Sequence, residues 1–134
     1  MLGRNPYANQ VNQYQTQKIM SAKPEELTLM LYEGAIKFCN IAEMAKEKGD
    51  DKKMTDYLLK VENIIDYLNN TLDMRFEVSK DFENVYKYLL KRLVEADLNH
   101  DDALEILKEV NKHLHTMKDA WAEAMKASKT TATA

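Results

Sequence analysis

The chain has 134 residues, enough for one domain with a sizeable core but short of two. Its net charge of −3, with acidic and basic residues interspersed, offers no basic face for nucleic acid, and 3 Gly and 2 Pro leave little turn chemistry for a sheet. The single Cys39 excludes an internal disulfide; with no apolar run near the roughly 18 residues of a membrane span and no secretory signal, the expected location is the cytoplasm.

Residues 1–18 are rich in Asn and Gln and have no helical stripe, which reads as an arm lacking its own core. Tyr7, Val11, Tyr14, Ile19 and Met20 punctuate it as docking points on the domain that follows, the alternative being a solvated tail. The expected division is an arm over 1–23 that docks on the bundle, a four-helix bundle over 24–127 and a disordered tail over 128–134.

The first helix opens at Pro24, whose missing N–H costs nothing at that position, with Glu25 and Glu26 at the positive end of the dipole. Its cap falls on Lys23, a weak capper, and Gly49 supplies the left-handed exit. Between Leu27 and Ala45, 13 of 19 residues are apolar, more than one stripe requires. At about 100° per residue, Leu27, Met30, Leu31, Ala35, Phe38, Ala42 and Ala45 form one stripe and Leu29, Tyr32, Ile36 and Cys39 a second. Glu33, Lys37 and Asn40 mark the wet face. Two stripes imply burial on two sides or a groove for a partner, and the second stripe is taken as the candidate groove.

Asp50 and Asp51 can cap the second helix, whose stripe is Met54, Tyr57, Leu58, Val61, Ile64, Ile65, Leu68 and Leu72, with Leu59 off it. A short connection over 73–78 returns a third helix antiparallel, capped by Ser79, with Phe82, Val85, Tyr86, Leu89, Leu90, Leu93 and Val94 inward. Tyr88 and Arg92 lie together on another side. Asn99, Asp101 or Asp102 caps the fourth helix, which carries Leu104, Leu107, Val110, Leu114, Met117, Trp121 and Met125 as a narrow seam. Four helices with short loops predict an all-α, antiparallel up-down four-helix bundle with a flexible N-terminal arm.

Patterns for chemistry are absent. Di-iron bundles need Glu-x-x-His, which does not occur, and Asp97, Asn99 and Asp101 imitate a calcium loop that fails at Asp102 and Lys108. His113 and His115 point about 200° apart on a helix and cannot chelate one metal. Without a phosphate loop or nucleophile elbow, no catalytic residue, metal or cofactor is expected. The surplus apolar surface fits two accounts equally: a groove for an amphipathic partner helix, or a surface permanently covered by the arm or by a second copy in an adaptor or homodimer.

In order along the chain, NPYANQ, SAKPEELTLMLYEGAIKF, NIIDYL, VYKYLLKRLVEAD and DAW resemble the flagellar secretion chaperones that bind flagellin in the bacterial cytoplasm, over about Asn5 to Ala124. The resemblance implies a bundle that holds the disordered C-terminal segment of flagellin as helices in outer hydrophobic grooves, prevents premature polymerisation and presents the subunit to the flagellar export gate. In that family the N-terminal arm can occupy an empty groove. By motif, Tyr7 anchors the arm, Leu29, Tyr32 and Ile36 supply a groove wall, and Tyr88 and Arg92 form an outward pair, with Leu59 added from its off-stripe position. Gly34 is expected at a close helix contact and Trp121 on the inner seam. Lys23 departs from the small hydroxyl residue common before the Pro, and Asp97 from the usual Asn.

Overall fold

The computed structural model describes residues 22–133, with side chains described for 22–127. Tyr7, Val11, Tyr14, Ile19 and Met20, the expected docking points of the arm, lie outside the described residues. Four helices follow one another: α1 Pro24–Glu47, α2 Asp51–Asn70, α3 Val78–Leu98 and α4 Ala103–Thr133, the last preceded by a 3₁₀ turn at His100–Asp102. α1 packs on α2 and α4, and α3 closes the square between α2 and α4. The Trp121 indole near the far end of α4 donates to the Glu25 carbonyl at the start of α1 (2.9 Å), so those two helices run antiparallel. This is the expected all-α bundle.

Local chemistry accounts for most boundaries. Lys23 provides no side-chain cap, and Pro24 begins α1 without one. Gly49 takes φ +78° in the exit, where its lack of a Cβ removes the strain. Asp50 caps α2 by accepting from the Lys53 amide at 3.1 Å. The α2–α3 connection departs from expectation: α3 begins at Val78 with Glu77 before it, and Ser79 is not the cap. The Ser79 hydroxyl instead donates back to the Asp73 carbonyl at 2.7 Å, while the Asp73 carboxylate accepts from the Arg75 amide at 3.1 Å. The loop builds its own turn, which draws Ser79 inward to 5% exposure. At the last connection Asn99 accepts from the Asp101 amide, capping the 3₁₀ turn. α4 then runs through 128–133, beyond the expected bundle boundary at 127.

The core corrects the reading of α1. Tyr32, Ile36 and Cys39, expected on an outward stripe, are buried, whereas Leu27, Met30, Leu31 and Phe38, expected inside, are only half-buried. α1 has neighbours on both flanks, so the middle of its apolar arc faces the bundle centre and the larger side chains flank it. Ala35, Cys39, Ala42 and Ala45 are small enough for α1 to approach that centre closely. Gly34 does face α2, yet a Cβ there would meet the Ile64 Cδ1 at 3.6 Å, an ordinary contact, so this approach does not require glycine. On α3, Val94 is exposed rather than inward, because it follows Leu93 and two adjacent helical residues diverge by about 100°.

Candidate functional site

With the core closed by Leu58, Ile65, Leu89, Leu93, Leu107 and Leu114, six of the nine large apolar side chains left exposed fall in two places, the others being Met44, Tyr67 and Tyr88. One is the outer side of the α2–α3 seam. Burial first, and the charge of Asp97 second, raise the Glu62 carboxyl above its usual range, a coupling that marks this seam. Leu59 is three residues before Glu62, and Val94 three before Asp97, so both lie on the seam's outer side with half-buried Leu90 one further turn along α3. Leu59 and Val94 are 44% and 49% exposed, and Leu98 is 82% exposed at the end of α3.

The second place is the end of the bundle where α1 starts. Met74, Phe76 and Val78 are exposed on the connection and first residue of α3. Beside them is a pocket of about 200 Å³ lined by residues including Tyr32, Leu68, Leu72, Phe82, Tyr86 and Trp121. The Tyr32 and Tyr86 hydroxyls share a hydrogen bond at its floor, linking the diagonal pair α1 and α3. Burial is the first cause that raises both phenols above their usual range.

Tyr88 and Arg92 occupy the α3–α4 side, where they hold Glu109. Arg92 Nε donates to Glu109 Oε1 at 2.8 Å, the Tyr88 hydroxyl to Oε2 at 3.0 Å, and a second guanidinium nitrogen pairs with Glu95. Arg92 first, then Tyr88, hold the Glu109 carboxyl below its usual range against the opposing effect of burial. The His113 ring meets Tyr88 edge-on at 6.0 Å. Arg92 is thus committed to internal pairs, while Tyr88 keeps 43% of its surface exposed. Beyond them lies an open cavity of about 500 Å³ edged by Glu95, Leu98, Asp102, Glu105 and Ile106.

The expected site residues therefore do not form one groove. Leu59 and Tyr88 are exposed on different seams, Leu29 is half-buried on the α4 flank of α1, and Tyr32 and Ile36 are core. Cys39 is also core: its thiol donates to the Leu107 carbonyl at 3.2 Å, and burial pushes it up to about 12, far from a reactive thiolate. Val94, Met74, Phe76, Val78 and Leu98 were not assigned to a site from sequence. Their signals are a Leu-Val doublet that cannot turn fully inward and a loop, DMRFEV, with three apolar residues where polar ones are usual.

With its core complete, the chain falls in the class of all-α four-helix bundles. The chain is a member of the family described as flagellar protein FliS, whose model matches residues 7–128. It is 36% identical to the flagellar secretion chaperone FliS of Bacillus subtilis (strain 168) over 126 residues, covering 94% of this chain and 90% of that protein. The identically named protein of Salmonella typhimurium is 32% identical over 108 residues, 78% of each chain, and that of Escherichia coli K12 is 27% identical over 110. The family is one of chaperones and not of enzymes. Among the described residues no helix is long and apolar enough to cross a membrane.

Proposed function

We propose that this chain is a cytoplasmic chaperone of flagellar export that holds the C-terminal segment of flagellin and delivers it to the export gate. The observation that carries the reading is the α2–α3 seam, where Leu59, Leu90 and Val94 offer an apolar strip on an already complete core. Family membership supplies the flagellar context. An amphipathic segment laid as a helix along the strip buries its apolar face at the seam and keeps its polar face wet. Tyr88 extends the contact to the neighbouring α3–α4 side, where Arg92 orients it through Glu109. Leu29 adds apolar surface on the opposite, α1–α4 side, while Tyr32 and Ile36 act only by shaping the core beneath. The arm, anchored through Tyr7, docks at the apolar end of the bundle, next to which residue 22 joins α1.

A segment that orders only on binding loses affinity to its own ordering cost, which favours release when the subunit is handed on. The chaperone role is tested on filament growth. Equimolar chain added to monomeric flagellin and filament seeds is expected to hold elongation, read by light scattering, to less than about a tenth of its unassisted rate. Unchanged elongation would contradict the proposal.

A further inference from the structure

We infer that the floor of the end pocket is a hydrogen-bonding seat for one carboxamide side chain, Asn or Gln, from the chain's own residues 1–21. The inference rests on the proposal that the arm docks, and adds which chemical group docks and on what.

Among the described residues, the other side-chain donors of the pocket are spent. Trp121 Nε1 donates to the Glu25 carbonyl at 2.9 Å, the Ser79 hydroxyl to Asp73 at 2.7 Å and the Thr28 hydroxyl to Pro24 at 3.2 Å. Tyr32 and Tyr86, 0% and 2% exposed, bring two hydroxyl protons to the one bond between them. One proton therefore lacks an acceptor among the described groups, and a buried donor left in that state is costly. The oxygens of Ser79 and Thr28, each donating once, keep lone pairs able to accept. A carboxamide answers both needs, because its carbonyl accepts from the phenol while its NH2 donates to a hydroxyl oxygen. A carboxylate answers only the first, and would sit desolvated in a pocket that Asp73 also lines.

Size and reach select the occupant. A cavity of about 150 Å³ takes a benzene-sized guest, so about 200 Å³ admits a single side chain and not a helix. Residues 1–21 contain seven Asn or Gln and no Asp or Glu. Thr28 and Tyr32 of the pocket lie one to two turns into α1, a rise of roughly 6 to 12 Å from its start. Three or four extended residues span that distance, so Gln17 and the carboxamides before it reach the pocket.

The test is nuclear magnetic resonance on the full-length, isotope-labelled chain. One carboxamide NH2 from residues 1–21 should show contacts to ring protons of Tyr32, Tyr86 or Trp121. The double variant Tyr32→Phe/Tyr86→Phe removes both hydroxyls with little change of shape and should lower the equilibrium constant for that contact about five-fold, the worth of one neutral hydrogen bond. Replacing the contacting Asn or Gln by Leu should reduce it similarly while leaving the core untouched, which keeps the test sound if the double variant fails to fold. Arm contacts to the bundle that exclude the pocket, or a tyrosine or aliphatic side chain inside it, would overturn the carboxamide seat and leave arm docking intact. Absence of any arm contact would overturn both, and an occupancy that ignores these substitutions would overturn the seat alone.

Discussion

Ile36→Asp should abolish cooperative melting or lower its midpoint by more than about 12 °C. Ile36 is 8% exposed within the central cluster, so the change removes a packed side chain and places a carboxylate where no cation is paired with it. Large-to-small core changes alone cost about 2 to 5 kcal/mol, and an unpaired buried charge adds to that. A total of roughly 4 kcal/mol or more is a large share of the 5 to 15 kcal/mol that holds a typical domain folded. At about 3 °C per kcal/mol for a chain of this size, the midpoint falls by about 12 °C or further. Thermal circular dichroism checks it. A melt within about 3 °C of wild type would show Ile36 facing solvent, on the outward stripe that α1 was expected to present.

Leu59→Asp combined with Val94→Asp should have the opposite profile. Both side chains are about half exposed, so truncation opens no cavity, and the helix-propensity change is about half a kcal/mol per site. The melting midpoint should move by less than about 5 °C. If the flagellin segment lies along the α2–α3 seam, the pair loses two apolar contacts and forces carboxylates against an apolar face. At about 1 kcal/mol or more per contact, affinity should fall at least 30-fold. Lys37→Asp on the wet face of α1 is the control and should leave binding within about two-fold. Equal losses from the control and the double variant would remove the seam from the binding surface.

These two variants also mark how far the sequence is legible. The helices and their order follow from periodicity, because Met54, Leu58, Val61, Ile65 and Leu68, or Leu107, Val110, Leu114 and Met117, recur at three and four with polar residues between. Such single-striped helices have only one way to face. α1 is apolar around most of its circumference, and spacing alone cannot say which part of the arc meets the core. Weighting large residues favours Leu27, Leu31 and Phe38, but the centre is taken by Tyr32 and Ile36 together with the small Ala35, Cys39 and Ala42, and Leu27, Leu31 and Phe38 are left only half-buried. The burial of Tyr32 depends on Tyr86, 54 residues away, satisfying its hydroxyl, a pairing that no local pattern displays.

The site was legible only in part for a related reason. Leu59 and Tyr88 stand out as apolar residues off their stripes, and both are exposed. Whether two such residues share a surface depends on which helix faces which, and the square arrangement puts them on different seams. Ser79 shows the same limit at a boundary. It has the composition of a cap, but the turn built on Asp73 uses its hydroxyl first.

If the spare apolar surface holds a flagellin segment, that segment alone should bind the chain. The most direct measurement is isothermal titration of the full-length chain with a synthetic peptide of the flagellin C-terminal segment. A one-to-one complex at micromolar or tighter affinity is expected, with a negative heat-capacity change from apolar burial and a peptide that becomes helical on binding. No heat of binding at micromolar concentrations, together with no gain of helicity, would contradict it.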